Sequence, residues 1–123
     1  MTFRLALVAL LLSISVACGS SSTSAPSPTP SPSGSGSAAS IVNGASTLTT
    51  TAYAPNPMSV AVGGSVTWTN NDVTTHTSVA NGGAWTSGSI APGGKFTMTF
   101  SSAGTFPYHC SLHPGMVGTV TVQ

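Results

Sequence analysis

The residues whose types and spacing could do chemistry are Cys110, His113 and Met116, which follow one another at intervals of three near the end of the chain. Proline and glycine stand between the histidine and the methionine, so the stretch is expected to form one tight loop. A thiolate, an imidazole and a weakly binding thioether together suit copper better than zinc, magnesium or calcium. A copper site of this kind needs a second imidazole, and His76 is the upstream candidate.

Cys110 is the only cysteine that lies outside a segment resembling an export signal. In an exported protein, a lone thiol would be oxidised or mispaired unless something occupies it. A buried cysteine that only packs in a core is the alternative interpretation. Because His113 and Met116 follow it, metal ligation is the interpretation that we prefer.

Charged side chains make up only 2% of the chain, and they are Arg4, Asp72 and Lys95. This set forms no basic patch for nucleic acid and no acidic run for a basic partner. A single carboxylate also excludes hydrolases that need two. We expect Asp72 and Lys95 to be solvated. The composition therefore predicts no nucleic-acid partner, and it argues against an enzyme with a charged catalytic set.

Residues 1–17 have the features of a secretory signal peptide. The apolar run at 5–12 is too short for a spanning helix, which needs about 20 apolar residues. The residues before Cys18 resemble a bacterial lipobox, with the small Ala17 directly before the cysteine, although Ser15 stands where leucine is usual. We predict lipidation of Cys18; cleavage by an ordinary signal peptidase is the alternative.

Residues 18–40 consist almost wholly of serine, proline, threonine, glycine and alanine. Such a segment cannot bury apolar surface, so we predict a disordered tether. As a flexible coil it would span roughly 25 Å. Together with the signal peptide, it predicts an exported protein in the periplasm or at the cell surface, held to a bacterial membrane only by a lipid anchor.

From residue 41 onward, valine, threonine and aromatic residues alternate with polar residues between glycine and proline turns. No window has apolar residues at helical spacing, and period-two alternation is the signal of half-buried strands. This predicts one domain over 41–123, an antiparallel β-sandwich or barrel. The predicted strands are 47–53, 58–62, 65–70, 95–100, 106–110 and 117–122, with a short edge segment at 85–90.

Alternation along 106–110 predicts where the cysteine points. Phe106, Tyr108 and Cys110 share one face, while His109 lies on the other. If the aromatic face is the core face, the thiol points inward at the end of the strand, and His109 is a surface residue. The loop that follows should then curl back over the same end of the domain.

These features resemble the cupredoxins, and within them the amicyanins. Amicyanins have a histidine shortly after a V-T-W segment, and here residues 66–68 read V-T-W and His76 follows. They close with Y-x-C-x-x-H-P-x-M before a valine-rich strand, and residues 108–116 read Y-H-C-S-L-H-P-G-M. Plastocyanins have a longer stretch between the second histidine and the methionine. The resemblance covers roughly residues 60–122.

The resemblance implies an all-β, Greek-key β-sandwich that holds one type 1 copper ion. It implies three strong ligands and one weak axial ligand, which are His76, Cys110, His113 and Met116 in chain order. Cupredoxins commonly have asparagine directly after the first histidine, where it ties the two ligand loops together. Here Thr77 stands in that place, so the link should be weaker or remade through the hydroxyl. Leu112 replaces a proline often found before the second histidine, which should loosen the loop slightly.

The sequence thus predicts a monomeric carrier of single electrons between extracytoplasmic redox partners such as a dehydrogenase, a cytochrome or an oxidase. The predicted route of the electron is an apolar docking patch around the second histidine, formed by Leu112, His113, Pro114 and Gly115. A module for copper sequestration or delivery is the alternative, because it would use the same ligands. A metal-free adhesin with a buried cysteine is a third interpretation. An enzyme is the least favoured, since no second set of metal ligands is present.

Overall fold

A computed structural model describes residues 35–123 of the chain. The predicted signal peptide, Cys18 and most of the predicted tether lie outside the described residues. The first strand begins at Ser37, so residues 37–40, which composition assigns to the tether, belong to the folded part. Within 35–123, no helix has the length and apolar character needed to cross a membrane.

Eight strands and one short 3-10 helix make up the described part of the chain. The strands form two four-stranded sheets, in the orders β2-β1-β4-β6 and β3-β8-β7-β5. The all-β sandwich that alternation predicts is therefore confirmed. The elements are β1 (Ser37–Ile41), the 3-10 helix (Ala45–Thr47), β2 (Tyr53–Ala54), β3 (Met58–Val60), β4 (Ser65–Asn70), β5 (Val79–Ala80), β6 (Lys95–Thr99), β7 (Gly104–His109) and β8 (Val117–Val122).

The two sheets are mixed rather than purely antiparallel. β1 pairs with β4 in parallel, and β3 pairs with β8 in parallel, while the other pairs are antiparallel. A tight hairpin can join only antiparallel neighbours. The parallel partners here are far apart in the chain, and other strands lie between them in the sequence. The alternation of apolar and polar residues cannot reveal whether two strands pair in parallel or antiparallel, because the alternation is the same in both cases.

Strands whose inward side chains are strongly apolar were predictable from sequence. β4 and β8 occupy the predicted ranges, and buried and half-exposed residues alternate along both. The predicted strand at 47–53 is wrong. Gly44 lies in a turn with a φ of 75°, the 3-10 helix that follows buries Ala45, and only Tyr53 of the predicted stretch belongs to a strand. Residues 85–90 contribute isolated bridges, which is less than the predicted edge segment.

Aromatic side chains fill the space between the sheets. Trp68 on β4 is fully buried, with its ring centroid 5.5 Å from that of Tyr108 on β7 and 5.6 Å from that of Trp85. Tyr53 packs edge-on against Tyr108 at 4.8 Å. Large, well-packed rings of this kind supply most of the apolar burial in a small domain. The end of β7 is therefore held by a rigid core directly below the predicted metal ligands.

Candidate metal centre

The loop after β7 carries three of the four predicted ligands. Cys110 directly follows the strand and is fully buried, so its side chain points inward as alternation predicts. Its backbone N–H donates to the Met116 carbonyl at 3.1 Å, and the Met116 N–H donates to the His113 carbonyl at 2.9 Å. These bonds close residues 110–116 into one tight loop, and the Met116 side chain, like that of Cys110, is fully buried.

The upstream ligand loop is organised by the last residue of β4. The buried Asn70 amide donates to the carbonyls of Thr74 at 2.7 Å and Ile90 at 2.8 Å. Its oxygen accepts the backbone N–H of Asp72 at 2.9 Å. His76 then exchanges two backbone hydrogen bonds with Ile90, at 3.1 and 2.8 Å. The His76 side chain is fully buried, and its backbone is held by this pairing with Ile90.

The structure brings His76, Cys110 and His113 together, with candidate ligand atoms all within 4.8 Å of one another. The Cys110 Sγ lies 3.9 Å from His76 Nδ1 and 3.7 Å from His113 Nδ1. Typical metal–sulfur and metal–nitrogen bonds of about 2.3 and 2.0 Å, set at trigonal angles, separate the two donor atoms by roughly 3.7 Å. Both sulfur–nitrogen spacings are therefore close to those expected when Cys110 and a histidine bind the same ion.

Asp72 is buried, which corrects the expectation that it is solvated: only 4% of the residue is exposed. Its Oδ2 accepts a hydrogen bond from His76 Nε2 at 2.8 Å, and its Oδ1 accepts the Gly44 N–H at 3.0 Å. The bond from His76, with that from Gly44, holds the pKa of the Asp72 carboxyl well below its usual range. With the proton on Nε2, the lone pair of Nδ1 faces Cys110 and is free to bind a metal.

Thr77 links the two ligand loops through its hydroxyl, one of the two outcomes expected where asparagine is absent. The Ser111 N–H donates to Thr77 Oγ1 at 2.8 Å, and the Thr77 N–H donates to Cys110 Sγ at 3.3 Å. Burial raises the pKa of the Cys110 thiol, but hydrogen bonds from the Thr77 N–H and hydroxyl outweigh it and, with smaller contributions from the two neighbouring imidazoles, lower it to about 6. The thiolate that a metal requires is therefore stabilised before any metal binds.

The remaining predicted residues lie at the surface. His109 is outside the donor cluster, half-buried, with Nδ1 2.6 Å from the Asn81 side-chain oxygen. In the predicted docking patch His113 is half-buried, Leu112 is 53% exposed, and Pro114 and Gly115 are exposed. Val73, in the His76 loop, is 79% exposed, and it is not one of the residues predicted from sequence to form the docking patch.

The chemistry of the donor set fits copper. Two imidazoles and one thiolate in one cluster, with a methionine on the same loop, are typical of blue-copper sites. A structural zinc site would be expected to take four strong tetrahedral ligands. Among residues 35–123, the three clustered side chains are the only group of histidine, cysteine or acidic residues that could hold a metal. His76, Cys110, His113 and Met116 are arranged as a copper site.

Comparison with known proteins gives consistent results. The sequence model of a family described as copper binding proteins, plastocyanin/azurin family, matches residues 39–123. A plastocyanin of Scenedesmus fuscus is 33% identical over 58% of this chain and 86% of its own length. An amicyanin of Paracoccus denitrificans is 33% identical, and the match covers 58% of each protein. The structure is similar to that of a purple cupredoxin from Nitrosopumilus maritimus, with a TM-score of 0.66, 33% identity, and coverage of 71% of this chain and 99% of the other.

Proposed function

The chain belongs to the plastocyanin/azurin family of copper-binding proteins, and from this premise we propose that it is a type 1 (blue) copper protein that carries single electrons between redox partners. The observation that carries the proposal is the buried cluster in which two histidine Nδ1 atoms lie 3.7 and 3.9 Å from one cysteine sulfur. His76, Cys110 and His113 would be the strong ligands, and Met116 the weak axial one. Copper, when bound, supplies a one-electron Cu(II)/Cu(I) couple.

The contribution of the protein is a site that changes little when the electron arrives or leaves. His76 is fixed by the backbone exchange with Ile90, and the Cys110 loop is closed by the bond to the Met116 carbonyl. Tyr53, from β2, donates its hydroxyl to the Thr77 carbonyl at 2.6 Å and so supports the residue between the loops. Preorganised surroundings of this kind reduce the rearrangement that accompanies a change of charge.

The electron would leave through His113, because this is the one histidine of the cluster that is not fully buried. The surrounding Leu112, Pro114 and Gly115 are exposed and uncharged. They would form the surface on which a redox partner docks, and Val73 extends the set of exposed apolar side chains on the ligand loops. No role as an enzyme is proposed, since a second metal-ligand cluster is lacking among residues 35–123.

We place this carrier outside the cytoplasmic membrane, as a monomer anchored through a lipid on Cys18. The support comes from sequence: a signal-like segment at 1–17, a cysteine after a small residue, and a serine- and proline-rich tether before the copper domain. A dehydrogenase, a cytochrome or an oxidase in the same compartment would be the partner class.

The test is to add Cu(II) to the purified full chain and record the visible spectrum. We expect an intense blue band that is lost in Cys110→Ala and kept in Cys18→Ala, which removes the other cysteine of the chain. A colourless wild type would refute the type 1 site. Cycles of reduction and reoxidation then separate the carrier from the alternative, a sequestration or delivery module. A carrier keeps its copper through the cycles, while a delivery module releases it on reduction.

A further inference from the structure

We propose that the Thr77 hydroxyl donates a hydrogen bond to the Cys110 thiolate and thereby favours the reduced state of the copper couple. The inference rests on the proposed function, because it concerns the relative stability of the two copper states. It assigns Thr77 as a positioning residue that acts through the cysteine sulfur, with Ser111 holding the hydroxyl in place.

The direction of the bond follows from counting donors and acceptors around Thr77 Oγ1. This oxygen has three polar neighbours: the Ser111 backbone N at 2.8 Å, the Ser111 Oγ at 3.0 Å and the Cys110 Sγ at 3.6 Å. A hydroxyl offers one proton and two lone pairs. The Ser111 N–H can only donate, and a thiolate can only accept. All three contacts are satisfied only when Thr77 donates to the sulfur and the Ser111 hydroxyl donates to Thr77.

The same residue contacts the sulfur twice, because the Thr77 backbone N–H also donates to it at 3.3 Å. Thr77 is 6% exposed and Cys110 is fully buried, so water competes little for these bonds. Hydrogen bonds to a charged group are stronger than those between neutral groups, and more so away from water.

The effect on the couple has a definite sign. Reduction leaves more negative charge on the thiolate, so donors to the sulfur stabilise the reduced state more than the oxidised state. Hydrogen bonding around the cysteine sulfur is one of the ways in which proteins set the potential of blue-copper sites. Removing one donor should therefore lower the reduction potential, while the ligands themselves stay in place.

The experiment measures the reduction potential of copper-loaded full chain by redox titration of the blue band. Thr77→Val is nearly isosteric and removes the hydroxyl but keeps the backbone N–H. We expect it to shift the Cu(I)/Cu(II) ratio at a fixed potential by roughly tenfold towards Cu(II), or about 59 mV for one electron. Thr77→Ser restores the hydroxyl and should return the potential to that of the wild type. A potential in Thr77→Val equal to that of the wild type overturns the inference.

Ser111→Ala tests the direction of the bond and also serves if Thr77→Val does not bind copper. The Ser111 backbone N–H remains in this variant, so we expect a potential close to the wild-type value. A raised potential would mean that the Thr77 proton normally goes to Ser111, and it would overturn the inference. Exchange into D2O should shift the copper–thiolate stretching bands of wild type and Thr77→Ser more than those of Thr77→Val. Absence of a blue band in the wild type would instead refute the proposed function.

Discussion

Asp72 is the only carboxylate side chain of the protein, and it is buried beside the predicted metal ligand His76. A buried charge is tolerated when its oxygens are paired with donors. The donors here are the His76 ring, the Thr74 hydroxyl and the backbone N–H groups of Gly44 and Val73. The single carboxylate therefore keeps the His76 proton on Nε2 and so orients Nδ1 towards Cys110.

We predict that Asp72→Asn lowers copper affinity by about 10- to 100-fold, the usual cost of losing a partner of a metal-bound histidine. The amide keeps the size of the carboxylate but loses its charge, and it can turn an NH2 group towards the His76 N–H. The measurement is a competition titration against a chelator of known affinity. In Asp72→Asn the Thr77 bonds to Cys110 remain, so the blue band should persist at saturating copper.

Val73→Ala is the matched control for this experiment. Val73 lies in the same loop, but it is 79% exposed, so its truncation should leave copper affinity unchanged. If both variants bind copper as tightly as the wild type, the bond from Asp72 has no part in holding His76 for the metal.

Among single residues, the sequence reveals the metal ligands more readily than the residues that support them. Cys110, His113 and Met116 are close in the chain, and their chemistry and spacing suffice to predict a site. The only sequence signal for Asp72 is its place four residues before His76. Its burial depends also on Gly44, which lies 28 residues away in the chain and becomes a neighbour only after folding.

Secondary-structure elements are likewise predictable where the local sequence determines them, but not where distant parts of the chain do. β4 and β8 follow from alternation, because each buries every second side chain. The threonine-rich stretch at 47–53 has high strand propensity, but a 3-10 helix and turns occupy most of it. The parallel pairing of β1 with β4 depends on how the whole chain is routed, and no local pattern records it.

The junction between β4 and the His76 loop should be sensitive to Asn70→Ala. The side chain makes three hydrogen bonds there, two of them to carbonyls that would lose a partner. We expect the free energy of unfolding to fall by about 2 to 4 kcal/mol. Urea denaturation of the copper-free protein measures this change without any contribution from the metal.

The neighbouring Asn71→Ala provides the comparison. Asn71 is exposed, and its side chain makes one hydrogen bond, to the Ser40 hydroxyl at 2.7 Å. Its loss should change the free energy of unfolding by less than about 0.5 kcal/mol. Equal losses in the two variants would show that the buried amide does not hold the loop.

The molecule as a whole has almost no charge with which to attract a partner. Among residues 35–123 the charged side chains are Lys95 and Asp72, so their charges cancel when the histidines are neutral. Asp72 is buried, which leaves Lys95 as the exposed charge. Leu112 and Val73 are instead exposed on the ligand loops. If a partner docks at this end of the molecule, as we propose, we expect recognition to depend on apolar contact and shape rather than on long-range attraction.

Because the described part of the chain has so little exposed charge, we predict that its association with a redox partner depends little on salt. Steering by charge raises association rates by about 10- to 1000-fold and is lost as ionic strength rises. Here we expect the second-order rate constant of electron transfer to change less than about twofold between roughly 0.01 and 0.5 M salt. Stopped-flow bleaching of the blue band by a reduced partner protein measures it. Leu112→Lys places one charge at the patch and should introduce a salt dependence, provided that the partner docks there. A steep dependence in the wild type would contradict this prediction and would point to Lys95, the exposed charge of the described part of the chain, as the residue that attracts the partner.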